Sequence, residues 1–256
     1  YGKFQKWIIY IIAFLNIILG FKAGINSFLL PLTVDDFHMT SRNVGLLLNT
    51  YGLGKLFGTL VIGYLADKIG RKLSLIIALF LSIVFSVASC FTTKFYPFLF
   101  YWFLTASAFG GILPVSVIYL SECLPDDKWG SFNMMMEIFR SVGLFSCAAI
   151  AFVANWNWKV MIWAPCFLVL YALYLVVKLH ESSRYLMSIN KMEEVEKYLN
   201  KMSKVNKRGI EITYLCKEVE LDDQKKKAPK PKGICTRLFG LKNLRTTLAL
   251  IVIWFS

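Results

Sequence analysis

Residues 63–72 read Gly-Tyr-Leu-Ala-Asp-Lys-Ile-Gly-Arg-Lys and fill a short polar gap between two long apolar runs. Asp67 and Arg71 stand on either side of Gly70, a residue type that tight turns accommodate at little steric cost. Charged side chains are costly in the interior of a bilayer, so this decapeptide belongs at the membrane surface. It predicts a short loop that joins two membrane-spanning helices.

Apolar runs recur along most of the chain. Hydrophobic residues make up 57% of the 256 positions, and the mean hydropathy is +0.55. A helix needs roughly 20 apolar residues to cross about 30 Å of hydrocarbon. The pattern therefore predicts an all-α membrane protein, with a further run that starts near residue 246. The predicted spans are residues 7–31, 43–66, 73–93, 96–121, 131–154 and 160–179.

The distribution of basic residues predicts the orientation of these helices. The net charge of +13 would also fit a nucleic-acid-binding protein. However, residues 1–6, 67–72, 126–130 and 178–245 together carry 23 Lys and Arg residues, whereas the opposite loops carry 3. Basic residues concentrate on the cytoplasmic side of membrane proteins. We therefore expect residues 1–6 and 178–245 in the cytoplasm, the lipid bilayer as the main partner, and no nucleic-acid partner.

The composition changes after the sixth run and predicts three parts. Residues 1–180 form a six-helix transmembrane bundle, residues 181–242 a cytoplasmic amphipathic helix with a Lys-rich linker, and residues 243–256 the start of a seventh span. The helix is expected over residues 181–203, where Met192, Val195, Leu199 and Met202 recur every three to four residues. The linker contains Lys225-Lys-Lys-Ala-Pro-Lys-Pro-Lys, a composition typical of disorder.

Four stretches of the sequence resemble one family. Residues 63–72 follow the pattern G-x-x-x-D-[RK]-x-G-R-[RK], which lies between the second and third helices of major facilitator superfamily transporters. Residues 181–186, Glu-Ser-Ser-Arg-Tyr-Leu, are similar to the signature that follows helix six in sugar and organic-ion transporters. Residues 110–125 and 245–256 resemble helix four and the start of helix seven in the synaptic-vesicle-protein-related branch. The resemblance implies the N-terminal half of a twelve-helix transporter whose two six-helix bundles rock about a midplane site.

The resemblance also implies an ionic latch at the cytoplasmic ends of the helices. In the family, the charged pair of the 63–72 motif locks the helix ends together in one conformational state. A single exposed ion pair contributes little to the stability of a protein. A network of such pairs that forms in only one conformational state can still shift the equilibrium toward that state. The expected members of this gate are Gly63, Asp67, Gly70, Arg71, Glu122, Glu181 and Arg184. A solvated loop held only for topology is the alternative interpretation.

Three cations stand where lipid-compatible residues are expected. Lys22 lies nine residues before Pro31, about 13 Å from that predicted helix end. Lys55 and Arg140 are similarly deep, and each such charge costs roughly 2.5–3.5 kcal/mol at a helix centre. Their common sign predicts a hydrated cavity that accepts an anion. Glu137 is a possible partner of Arg140, in which case that pair would be structural, and Asn26 and Tyr119 are candidate neutral hydrogen-bonding residues.

These patterns favour a secondary-active or facilitative transporter of a small organic, anionic solute. A basic residue is absent at Phe103 and at Trp129, where relatives carry one, so the resemblance leaves proton symport, uniport and exchange open. The alternative is a transport-inactive structural subunit within a larger membrane complex. No nucleotide-binding Gly loop or nucleophile–base pair is evident, so no enzyme is expected. The six Cys residues show no C-x-x-C spacing, so neither a metal nor another cofactor is expected.

Overall fold

The computed structural model describes residues 2–37, 39–124, 129–153 and 158–206. Within these ranges every regular element is an α-helix. The predicted Lys-rich linker and the predicted start of a seventh span lie outside the described residues. The helices are α1 Lys3–Asp36, α2 Ser41–Ile69, α3 Arg71–Cys90, α4 Phe95–Gly110, α5 Ile112–Cys123, α6 Trp129–Val153, α7 Trp158–Val177, α8 Ser183–Ser188 and α9 Met192–Asn206.

Six segments of the described chain are long and apolar enough to cross a membrane, which confirms the six predicted spans. The fourth of these spans is made of α4 and α5 together. The first helix is longer than predicted, because α1 continues past Pro31 to Asp36. Proline removes only one backbone donor, and membrane helices tolerate that loss when neighbours satisfy the freed carbonyl group.

The fourth span is interrupted at Gly111, although a single helix was predicted over residues 96–121. Pro114 has no N–H group and cannot donate to the carbonyl of Gly110 in the preceding turn. The Thr59 hydroxyl group of α2 lies 2.9 Å from this carbonyl oxygen and can donate to it. A neighbouring helix can therefore satisfy the carbonyl group that the break frees.

Close backbone contacts hold the helices together in pairs. The main neighbour of α1 is α6, and α2 packs chiefly against α4. A methyl group added at Gly20 would collide with the backbone carbonyl of Arg140, and one added at Gly58 would collide with that of Ser107. Small residues permit this approach, which drives association in lipid through packing rather than through the hydrophobic effect.

The six spans differ widely in how much surface they bury. In the most apolar window of each span, 67% of the α1 residues are buried, compared with 22% for α2 and 22% for α6. The core is formed mainly by α1 with α3, α5 and α7, including Ile12, Leu79, Val115 and Ala172. Both α2 and α6 therefore keep broad exposed faces in the part of the chain that the structure describes.

Two short helices close one end of the bundle. A single helix was predicted over residues 181–203, but α8 and α9 are separated at Asn190, which has a positive φ of 58°. Asn is one of the few non-Gly residues that adopt this conformation readily. Val195 and Tyr198 of α9 are buried, and the side-chain oxygen of Asn206 accepts a hydrogen bond from the Phe4 amide at 3.1 Å. We call this end, formed by residues 67–72, α8 and α9, the α9 end.

Candidate functional site

The charged residues of the 63–72 motif form a compact cluster at the α9 end. The Arg71 guanidinium lies 3.4 Å from the Asp67 carboxylate and 3.2 Å from the Glu122 carboxylate. The Asp67 side chain is 66% exposed, whereas that of Glu122 is 9% exposed, so the contact with Glu122 is the shielded one. Arg71 also donates to the Ala66 carbonyl oxygen at 3.2 Å. The cluster links α2, α3 and the end of α5.

Glu181 reaches the same turn from the segment after α7. One of its carboxylate oxygens accepts hydrogen bonds from the amides of Arg71 at 2.9 Å and Lys72 at 3.1 Å. These amides lie at the N-terminus of α3, where backbone N–H groups lack helical partners and the helix dipole favours an anion. Glu181 therefore acts as a cap for α3 that is supplied from 110 residues away in sequence.

Gly70 is required by this arrangement in two ways. Its φ of 103° lies in the region that L-residues with side chains rarely adopt. A Cβ atom at this position would also collide with the Glu181 carboxylate.

Tyr185 of α8 also contacts this turn. Its hydroxyl group donates to the Lys68 carbonyl oxygen at 2.9 Å, and the Arg71 guanidinium lies 5.3 Å from the Tyr185 ring centre. Sequence reasoning did not identify Tyr185, although it belongs to the 181–186 signature.

The remaining predicted gate residues lie nearby but play less defined parts. Gly63 lines a small cleft of about 110 Å³ together with Asp67, Arg71 and Pro114. A methyl group at Gly63 would have no heavy atom within 4 Å, so its surroundings are open. Arg184 lies on the exposed side of α8. Its membership of the latch stays a prediction.

The structure separates Lys22 from the other two deep cations. Lys22 is 4% exposed, and its ammonium group donates to the Ser86 hydroxyl oxygen at 3.0 Å. The ammonium also lies 5.0 Å from the centre of the Phe109 ring, a cation–π distance. These contacts place Lys22 inside the bundle, between α1, α3 and α4. Neither Ser86 nor Phe109 was predicted as a partner, because sequence depth does not reveal which way a side chain points.

Lys55 and Arg140 instead lie on the two spans of the bundle that are least buried. Lys55 is exposed on α2 and Arg140 is part-exposed on α6, the two spans that bury the least surface. Arg140 forms an ion pair with Glu137, one turn earlier on α6. The Lys55 ammonium lies 5.8 Å from the Tyr51 ring centre, a partner that the sequence did not indicate.

The two neutral candidates lie in different places. Asn26 is part-buried on α1, one turn after Lys22. Tyr119 is fully buried, and its hydroxyl group donates to the His180 carbonyl oxygen at 2.7 Å. This bond places the phenol at the α9 end, apart from Lys55 and Arg140. The structure thus brings Tyr119 together with the segment after α7 rather than with the cations.

In the described parts of the chain, no group of three or more His, Cys, Asp and Glu residues has the geometry to hold a metal ion. The four cysteines of the spans are all present as free thiols there. The charged residues form two groups. Ion pairs connect the helices at the α9 end, and Lys55 and Arg140 are at least part-exposed near the middle of α2 and α6.

Comparison with known proteins identifies the family of this chain. Residues 7–256 match the family model described as sugar (and other) transporter. Synaptic vesicle glycoprotein 2A of Rattus norvegicus is 24% identical over 298 residues, covering 100% of this chain and 40% of that protein. A Bacillus subtilis (strain 168) protein, named as a candidate niacin/nicotinamide transporter, is 29% identical over 164 residues, covering 63% of this chain and 41% of that protein.

Solved structures show the same fold. The proton:xylose symporter XylE superposes with a TM-score of 0.77 at 20% sequence identity, covering 94% of this chain and 57% of that chain. The chain spans about two fifths of the length of the curated relatives described above.

Proposed function

Because the chain belongs to the sugar (and other) transporter family of the major facilitator superfamily, we propose that it forms the N-terminal half of a transporter. In this proposal the complete protein carries a small organic solute across the membrane by alternating access. The transport is either facilitative or coupled to an ion gradient. The observation that carries the proposal is the placement of Lys55 and Arg140 on α2 and α6.

Charges at mid-span have a high cost if they face lipid, roughly 2.5–3.5 kcal/mol each on insertion scales. Lys55 and Arg140 both remain at least part-exposed in this bundle, on faces that no other described helix covers. In a two-bundle transporter, substrate sites lie near the midplane at the interface between the bundles. A hydrated cleft on this side would remove the cost of both charges, so the open faces of α2 and α6 are the proposed lining of that cleft.

The charge of the cleft favours an anionic solute. Glu137 balances Arg140, so the set of Lys55, Arg140 and Glu137 carries one net positive charge. The Lys55 ammonium lies at cation–π distance from the Tyr51 ring, a contact that uses none of its hydrogen-bond donors and leaves them available to a carboxylate. Of the proteins compared, one is named for niacin/nicotinamide, a carboxylic acid and its neutral amide, and another for xylose, a neutral sugar. We favour an organic acid, with a neutral sugar as the competing outcome.

The cluster at the α9 end is the proposed gate. The excess of basic residues in the loops at this end supports a cytoplasmic location for it. Arg71, Glu122 and Glu181 join α2, α3, α5 and the segment after α7 into one network. Transport requires the cytoplasmic end to open and close, and a network that forms in only one of those states shifts their populations.

Uptake into proteoliposomes containing the full-length protein tests the solute site. Nicotinate and nicotinamide differ in charge but little in shape, and xylose provides a neutral sugar. We expect uptake of nicotinate over nicotinamide. Lys55→Gln and Arg140→Gln should each lower kcat/KM for the anion by about 10- to 100-fold, the usual effect of losing a hydrogen bond to a charged group. Lys94→Gln removes an exposed charge from a loop and is the matched control.

Normal anion uptake by both variants would refute the proposed site. Preferential uptake of nicotinamide or xylose would refute the anion preference while leaving the transporter intact. A protein that shows no flux for any solute, yet copurifies with a stoichiometric membrane partner, would support the alternative of a structural subunit.

A further inference from the structure

A basic cavity lies at the α9 end, away from the proposed solute site. It has a volume of about 230 Å³ and lies between the start of α1, the segment after α7 and α9. Lys3, Lys178 and Lys201 contribute three ammonium groups from these three segments, and none of the lining residues is acidic. The other lining residues are Phe4, Trp7, Ile8, Leu179, His180 and Val205.

Aromatic residues next to this cavity mark a membrane–water boundary. Trp7 and Tyr10 of α1 stack with ring centres 5.8 Å apart, and Tyr171 and Tyr174 of α7 stack at 6.4 Å. All four side chains are exposed. Exposed Trp and Tyr residues concentrate at the level of lipid headgroups, because their rings are apolar and their edges are polar. The cavity therefore opens at headgroup level, between these aromatic rings and the lysines that line it.

Two lysines of the cavity contact neutral groups. Lys201 Nζ lies 2.9 Å from His180 Nε2, and since an ammonium group is only a donor, the imidazole nitrogen accepts. Lys178 contacts the Tyr174 hydroxyl group, and its ammonium lies 4.1 Å from that ring centre. Burial, together with the charges of Lys201 and Lys72, lowers the pKa of His180 below its usual value. The cavity is thus an electropositive site, in which Lys178 and Lys201 contact neutral groups.

We propose that this cavity binds the phosphate group of an anionic phospholipid. Lys3, Lys178 and Lys201 donate to the phosphate oxygens, while Trp7 and Ile8 contact the glycerol and the first carbons of the acyl chains. The location at headgroup level favours a lipid over a soluble phosphate. Basic pockets on the cytoplasmic side of membrane helices have the chemistry to recognise such headgroups. Because α1, the end of α7 and α9 all contribute, bound lipid would fasten α9 to the bundle. This site is independent of the identity of the transported solute.

Lipid binding by the full-length protein in detergent tests this proposal, with phosphatidylserine compared with phosphatidylcholine. The cavity variant replaces Lys3, Lys178 and Lys201 with Gln. The charge-matched control replaces Lys6, Lys191 and Lys204, which are exposed on α1, before α9 and on α9 and do not line the cavity. We expect the cavity variant to lose at least about tenfold in affinity for phosphatidylserine, and the control to lose much less.

Equal losses in the two triple variants would overturn the proposal, because they would show that only diffuse electrostatic attraction operates. Equal binding of phosphatidylcholine would overturn it as well. Inorganic phosphate that binds the cavity as tightly as the lipid would refute the assignment to a lipid. If the Gln variant fails to fold, the corresponding triple Arg variant keeps the test decisive: it retains the charges and should retain phosphatidylserine binding.

The imidazole of His180 provides a second readout that a purely structural role of the lysines would not change. A phosphate in the cavity should raise the pKa of His180, measured by NMR of labelled histidine. Binding then favours protonated His180, so affinity should increase as the pH falls through the pKa of this residue. An unchanged His180 titration on lipid binding would contradict the proposed location. Among the described residues, the charged and titratable groups around His180 are Lys3, Lys72, Tyr119, Lys178, Glu181, Glu194, Lys197, Tyr198 and Lys201.

Discussion

Replacing Glu181 with Ala removes the group that accepts hydrogen bonds from the first amides of α3. The wild-type carboxylate accepts from the Arg71 amide at 2.9 Å and from the Lys72 amide at 3.1 Å. Losing a helix cap costs about 0.5–2 kcal/mol, and losing a negative charge at a helix N-terminus costs about 0.3–1 kcal/mol. We therefore expect the opening of this turn to become easier by about 2 kcal/mol, which corresponds to roughly 30-fold faster amide exchange.

Hydrogen–deuterium exchange of a peptide that contains residues 70–75 measures this effect directly. Glu181→Gln keeps an acceptor oxygen without the charge and should show a smaller increase in exchange. Glu193→Ala, which removes an exposed carboxylate from α9, is the control and should exchange like the wild type. If Glu181→Ala leaves the exchange of this peptide unchanged, the carboxylate does not cap α3 in solution and the reasoning fails.

Two further substitutions test other parts of the structure through thermal unfolding in detergent. Gly70→Ala should destabilise the protein by at least about 1–2 kcal/mol because of its positive φ, with an added collision against Glu181. Gly63→Ala, on open helix surface, should be neutral or stabilising, and equal effects of the two would contradict this account. Lys22→Met should keep or raise the melting temperature, because it replaces a buried ammonium group by an apolar side chain of similar length. A fall of more than about 5 °C would show that the contact of Lys22 with Ser86 stabilises the fold.

The spans could be predicted from the sequence because the length of an apolar run is a local property. The positions of α2 and α3 differ from prediction by only a few residues at each end. The passage of α1 through Pro31 and the break at Gly111 could not be predicted in the same way. The carbonyl group freed at Gly110 needs a partner from another helix, and the Thr59 hydroxyl that can provide it lies 51 residues away.

The candidate sites show the same distinction between local and tertiary information. Asp67, Arg71, Glu122 and Glu181 were predicted to act together, and the structure brings all four to one turn. Their roles in gating stay predictions. The depth of Lys22 could be estimated by counting residues, but its direction into the bundle depends on how α1 is rotated against α3 and α4.

The backbone contact between α1 and α6 has a consequence for how motion in this protein can be observed. No side chain separates the two helices at Gly20, and Gly143 meets the Ile17 carbonyl in the same way. If α1 and α6 slid or separated, a void would open between them, so the two helices should move together as one rigid body. Distance probes attached to α1 and α6 should report one constant separation in every conformational state of the protein. Such a pair provides an internal reference against which displacements elsewhere in the protein can be measured.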